Sequence, residues 1–196
     1  MAYTELPTYT TNQLITAAHG NTYWRDNINE LWPFTDQGDV AYASAATTLD
    51  ALAIGSVGSV LKSTGSIPAW DALERILHWR IVPVTVSVSK GNLQDIITIP
   101  PELNGCNLVF AGASVNTVSS SGTPTVQIRN VTDGVDMLTT AITIDADEKT
   151  SFNAETAAVI DTAHDDVATG DEITCDVDVA GTGTKGLVVH LVFALP

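Results

Sequence analysis

From residue 76 to residue 196 the sequence is a succession of short segments in which apolar and polar residues alternate. This period of two is typical of β-strands that bury one face. The clearest segments are 81–88, 93–99, 108–118, 125–131, 141–144, 173–179 and 187–193. Glycine-, asparagine- and serine-containing turns separate them, and no helical period intervenes. We therefore predict that residues 76–196 form an antiparallel β-sandwich, of jelly-roll type, so that the chain as a whole is mainly β.

A short amphipathic helix is predicted near the N-terminus, over residues 17–32. Thr16 is a suitable N-cap, and Pro33 ends the helix. Its apolar face is formed by Ala17, Trp24, Ile28, Leu31 and Trp32. Because no second helix is predicted in the chain, this face must pack against something else. The partner is the rest of this chain, a sister subunit, or a larger particle to which residues 1–35 attach.

Between helix and sandwich, residues 36–75 are rich in Gly, Ala and Ser, and brief strands are predicted around Val40 and Val60. The segment is too poor in bulky residues for a core of its own, yet not polar enough for a solvated linker. We predict a connector that becomes ordered when identical copies pack together. The residues predicted to dock on the particle or to form the oligomer interface are Trp24, Ile28, Leu31, Trp32, Tyr42, Leu52, Ile54 and Trp70.

Charge excludes several classes of partner. The chain has 8 Lys and Arg against 23 Asp and Glu, a formal net charge of −15. Nucleic acids and anionic membranes require clustered basic residues, so we predict neither as a partner. We also see no signal peptide and no membrane-spanning run, and expect folding in a cytoplasm. Cys106 and Cys175 lack metal-binding spacing, which favours two buried free thiols, with a disulfide as the alternative.

No pattern of catalytic or cofactor-binding residues stands out. Residues 181–186 satisfy G-x-G-x-x-G, but a strand follows where dinucleotide binding needs a helix, so we predict a hairpin turn. Asp176 and Asp178 alternate with valines and are predicted to lie on a solvated strand face. His164 beside Asp165 has no nucleophile motif with it. The remaining carboxylates leave calcium at a subunit interface as the alternative to a site without metal.

The first 70 residues contain two extended motifs. One is T-A-A-x-x-N-T-x-x-R-D-N-x-N-x-L, at residues 16–31, and the other begins G-D-x-x-Y-A-S at Gly38 and ends P-x-W at Trp70. Together they resemble a module of minor structural proteins of tailed bacteriophages. The phrases at 127–133 and 168–173 resemble the compact heads that follow such modules. This resemblance implies a trimeric appendage on the tail, neck or head of a virion.

The sequence thus predicts a homotrimeric, non-enzymatic virion protein, assembled in the host cytoplasm, without cofactors. Its partners would be its own copies, other virion proteins and a host receptor or glycan, contacted by the β-sandwich head. A capsid decoration protein that stabilises the head lattice is the alternative. A depolymerase would need a deep groove lined by carboxylates, and no suitably spaced acid pair is visible.

Overall fold

The computed structural model describes residues 8, 13, 14, 16–26, 28, 32–46 and 48–196. The chain is mainly β, with one short helix near the N-terminus of the described part and antiparallel pairing in every sheet. It divides into two compact units, one ending at Asp71 and the other extending from Ala72 to Pro196. The second unit begins four residues before the predicted boundary at 76.

The first unit contains a helical segment and two hairpins. Its elements are α1 (Ala17–His19), a π-helical segment (Gly20–Arg25), β1 (Val40–Ala45), β2 (Thr48–Leu52), β3 (Ser59–Ser63) and β4 (Pro68–Ala72). The hydroxyl of Thr16 accepts a hydrogen bond from the N–H of His19 at 3.3 Å, which confirms the predicted N-cap. The predicted helix end is wrong, because Trp32 is not helical. The two hairpins, β1 with β2 and β3 with β4, form separate sheets.

The second unit is built from two larger sheets. Its strands are β5 (Arg75–Ser87), β6 (Ile96–Thr98), β7 (Cys106–Thr117), β8 (Thr125–Asn130), β9 (Val135–Asp136), β10 (Leu138–Thr140), β11 (Ile142–Thr143), β12 (Val159–Ile160), β13 (Asp166–Val167), β14 (Glu172–Val179) and β15 (Lys185–Ala194). One sheet has the order β13-β7-β15-β5. The other has the order β11-β8-β14-β6, with β9 also paired to β8, and β10 and β12 form a small third sheet.

Both larger sheets contribute to a single hydrophobic core. Over residues 187–193 of β15 every second residue is buried, and Leu191 and Phe193 are fully inaccessible to solvent. On β8 the buried residues are Val126, Ile128 and Asn130, again at every second position. This alternation confirms the period of two that was read from the sequence for these segments. The core therefore lies between strands that are far apart in sequence.

The two cysteines are free and buried, which confirms the prediction of unpaired thiols. Cys106 begins β7 and Cys175 lies in the middle of β14. Burial raises the pKa of the Cys175 thiol to about 12, because the thiolate would lose its hydration, and the carboxylates of Asp176 and Asp95 add to this. Cys175 therefore behaves as a small apolar residue of the core.

The segment from Gly181 to Gly186 is not the predicted hairpin turn. The strands on either side of it lie in different sheets, since β14 pairs with β8 and β6 whereas β15 pairs with β5 and β7. The segment is a connection between sheets, tied to the 119–122 loop by hydrogen bonds from Ser120 N–H to Thr182 O and from Thr182 N–H to Ser121 O. Gly181 and Gly183 both adopt positive φ, which glycine permits without steric cost.

Candidate interaction surfaces

The first unit exposes large apolar side chains. Among its described residues none is buried, and Trp24 is 50% exposed, Ile28 62% and Trp32 67%. Ile54 is also exposed, whereas Tyr42, Leu52 and Trp70 are half-buried. Leu31, the remaining residue of the predicted interface, lies outside the described residues. The predicted set thus divides into exposed residues, which are free to contact another chain, and half-buried ones.

The half-buried Trp70 makes a local contact within the first unit. Its indole N–H donates to the carbonyl oxygen of Ala53 at 2.6 Å. The indole also lies so close to Gly55 that a Cβ there would come within 2.6 Å of its ring carbons. A side chain at position 55 would force the indole away. Gly55 and Trp70 are both part of the second motif. Their contact holds residues 53–58, which join β2 to β3, against the end of the β3–β4 hairpin.

A second local contact involves the start of the same motif. Asp39 Oδ2 accepts hydrogen bonds from the backbone N–H groups of Thr35 at 3.0 Å and Asp36 at 3.1 Å. These bonds hold the pKa of the Asp39 carboxyl below its usual range, that from Thr35 having the largest effect. Beside this turn, Trp32 and Phe34 pack edge to face with their ring centres 5.1 Å apart. The motif residues thus fix a loop that presents the exposed indole of Trp32.

In the second unit, the side of the β7-β15-β5 sheet that faces away from the core carries no acidic residue in its three central cross-strand rows. The rows are Arg80, Val188 and Ser114; His78, His190 and Gly112; and Ile76, Val192 and Phe110. Ile76, Phe110 and the neighbouring Phe152 are exposed. We call these nine positions, together with Phe152, the outer face. A face without acidic residues that exposes Ile76, Phe110 and Phe152 is notable in a chain of net charge −15.

Two histidines meet at the centre of the outer face. His78 and His190 are directly opposite each other on β5 and β15, and their Nδ1 atoms are 2.6 Å apart. The Nε2 atom of His190 lies 2.9 Å from the hydroxyl oxygen of Ser114 on β7. Burial lowers the pKa of His190, because the charged ring would lose hydration, and the proximity of His78 lowers it further. A hydrogen bond between the two Nδ1 atoms requires one of them to carry a proton and the other to accept it.

Several carboxylates of the second unit accept hydrogen bonds from other residues of the chain. Asp176 is buried, contrary to the prediction of a solvated position, and its Oδ1 accepts from the N–H of Leu93 at 2.6 Å. Asp178 on the same strand is exposed, as predicted. Asp176 is buried because the 91–94 segment pairs alongside β14, with Gly91 bridged to Val177. The alternation of residues within β14 alone could not predict that the 91–94 segment covers Asp176.

Residues 161–165, the loop between β12 and β13, contain a histidine–carboxylate pair, but not the one adjacent in sequence. His164 Nδ1 lies 2.8 Å from Asp161 Oδ2, and this hydrogen bond lowers the pKa of Asp161. The adjacent Asp165 is buried, and the loss of hydration raises its pKa. Within the described residues, no group of three or more His, Cys, Asp or Glu side chains is placed to hold a metal ion. The hydrogen bond between His164 and Asp161 links two residues of this loop.

The sequence pointed to the exposed residues of the first unit but not to the outer face. Finding the His78–His190 pair requires the register between two strands 112 positions apart, for which the chain contains no local signal. Among the described helical residues, none belongs to a segment long and apolar enough to cross a membrane. No protein-family model, curated protein or solved structure matches the chain.

Proposed function

We propose that this chain is a structural protein of a tailed-bacteriophage particle, a homotrimeric fibre- or spike-like appendage on the tail, neck or head surface. The proposal combines the resemblance of residues 16–70 to phage structural modules with the contrast between the two units. Its localisation is the virion, and its partners are its own copies and neighbouring virion proteins.

The absence of any buried residue in the described part of the first unit is the observation that carries the proposal. Fixing the backbone costs roughly 1–2 kcal/mol per residue, and burial of apolar surface normally offsets that cost. Trp24, Ile28 and Trp32 expose large apolar surfaces instead. Packing these residues against identical copies, or against the particle, supplies the missing burial, and closed symmetry requires each copy to offer the same surface. The first unit is therefore the assembling part.

The second unit is then the head of the appendage. We propose that its two sheets form a sandwich of jelly-roll type around the shared core, and that the outer face is its surface for contact with a host receptor or glycan. Aromatic and apolar side chains such as Phe110 and Phe152 suit such a contact. Three heads on one stalk would raise a weak contact to useful avidity through effective concentration.

We assign the chain no enzymatic activity. Ser114, His190 and His78 have the distances of a nucleophile, a base and a group that orients the base. However, acyl transfer also needs donors for the developing oxyanion. The N–H groups on either side of Ser114 are both occupied, since Ala113 N–H donates to Ser151 Oγ and Val115 N–H to Lys149 O. Neither of these two N–H groups is therefore available to stabilise an oxyanion beside Ser114.

Capsid decoration remains the second candidate, and the outer face favours it, because a sheet face that exposes Ile76 and Phe110 suits contact with a capsid lattice. Locating and counting the protein in purified particles by cryo-electron microscopy, with gel densitometry as a check, separates the two. A few copies at a tail, neck or head appendage would support our proposal. Copies spread over the whole head lattice would establish decoration instead, and absence from particles would overturn both.

A further inference from the structure

The paired histidines at the centre of the outer face form an unusual side-chain cluster. Their ring centres are 4.9 Å apart and the ring planes are nearly perpendicular, at 79°. In this arrangement the two Nδ1 atoms approach to 2.6 Å. The strands that carry them, β5 and β15, pair along most of their lengths, so the Cα positions of the two residues are fixed.

We propose that His78 and His190 form a binding site for a divalent transition-metal ion of the Zn²⁺, Ni²⁺ or Cu²⁺ type. Neutral imidazole nitrogen is a preferred ligand of these ions. The site lies within a single chain, so the inference does not rest on the proposed virion function. Two imidazoles occupy two coordination positions, and water completes the shell.

The geometry requires only a small adjustment. Tetrahedral zinc with bonds of about 2.0–2.1 Å places two ligand nitrogens about 3.3 Å apart. The Nδ1 atoms must therefore separate by roughly 0.7 Å, a shift that small side-chain rotations achieve. His78 is exposed and can make this movement without displacing core residues.

Ser114 holds one of the ligands in place. Its hydroxyl oxygen lies 2.9 Å from Nε2 of His190 and can accept the proton of that nitrogen, which leaves Nδ1 unprotonated for the metal. Oxygen acceptors commonly orient metal-binding histidines in this way. The ring centre of Phe152 also lies 5.7 Å from that of His190. Ser114 is thus a positioning residue.

Charges near this site have opposite effects on the binding of a cation. Arg80 lies in the adjacent row of the outer face and opposes a cation, and that face carries no carboxylate that would offset it. The chain as a whole has a net charge of −15, which raises the local concentration of cations around it. The metal is therefore held by the imidazole bonds and not by local electrostatic attraction.

The test is titration of the full chain with Zn²⁺ by isothermal titration calorimetry. We expect one ion per pair, and an affinity reduced at least about tenfold in His78→Ala and His190→Ala, and roughly tenfold in Ser114→Ala. His164→Ala is the matched control, because His164 is also exposed and paired, with Asp161. The affinity of the His164→Ala variant for Zn²⁺ should equal that of the unchanged chain.

A second measurement on the unchanged protein does not depend on any variant folding. With one equivalent of Cu²⁺, electron spin echo modulation should show two coordinated imidazoles. No Zn²⁺ binding, binding that survives His78→Ala, or loss of binding in His164→Ala would each overturn the proposal. Fewer than two imidazoles on Cu²⁺ would overturn it as well.

Discussion

The two units of this chain differ in where their apolar side chains lie. In the second unit, two sheets enclose a core that includes Phe193, Ile128 and Leu187, each almost inaccessible to solvent. In the first unit no described residue is buried, although the local contacts around Trp70 and Asp39 are well defined. Specific local geometry and burial are therefore separate properties. A segment that has specific local geometry but no buried residues is suited to assembly with other chains.

The largest effect is expected from a cavity in the second unit. Leu191→Ala removes a fully buried side chain, which should lower the free energy of unfolding by about 2–5 kcal/mol, because both the transfer energy and the packing around the cavity are lost. Leu73→Ala, at a 42% exposed position of the same unit, is the control and should cost much less. Urea unfolding followed by circular dichroism measures both. Equal losses would contradict the description of the core.

In the first unit the corresponding test is a substitution that creates a steric clash. Gly55→Ala places a Cβ within 2.6 Å of ring carbons of Trp70. The clash should lower the free energy of unfolding of the first unit by about 1–3 kcal/mol. Gly20→Ala is the control, because a Cβ there meets only Trp24 Cε3 at 3.9 Å. Near-ultraviolet circular dichroism reports the indole environment. A Gly55→Ala spectrum identical to that of the unchanged chain would show that the contact is not maintained in solution.

The buried carboxylate of β14 offers a sharper comparison within the second unit. Asp176→Ala leaves the N–H of Leu93 without its acceptor and should cost about 1–3 kcal/mol. Asp178→Ala, two residues along the same strand and exposed, should change the free energy of unfolding by less than about 0.5 kcal/mol. Chemical denaturation separates the two. If the two losses were the same, the 91–94 segment would not pair with β14 as described.

The smallest effect concerns pH. The pKa of His190 is lowered in the folded chain, so the unfolded chain binds its proton at a higher pH. The resulting contribution to stability is present above the unfolded pKa of about 6.5 and is lost as pH falls through the folded value. The stability difference between the unchanged chain and His190→Gln should therefore shrink between pH 7 and pH 5. A difference that grows on acidification would contradict the lowered pKa.

Much of the second unit could be predicted from sequence, because alternation within one strand reflects which face is buried. The segments around β8 and β15 follow that rule. Strand partners could not be predicted, since they depend on contacts far apart in the chain. For this reason residues 181–186 were interpreted as a hairpin although they join two sheets, and Asp176 was placed in solvent although the 91–94 segment covers it.

The same limit applies to the candidate sites. Trp24, Ile28 and Trp32 were predicted from helical spacing, which is local, and they are exposed, as a docking surface requires. The predicted helix itself ended too late, because aromatic spacing alone does not fix a helix end. The outer face with His78 and His190 was not predicted, because it exists only once β5, β15 and β7 are aligned.

The central claim is that the first unit obtains its burial from other copies of the chain. The most direct test is the molar mass of the full-length protein in solution, measured by light scattering after size-exclusion chromatography. The account predicts three times the chain mass of 20.6 kDa, and a shift to lower mass when Trp24 and Trp32 are both replaced by alanine. A stable monomer of 20.6 kDa at all concentrations would contradict it.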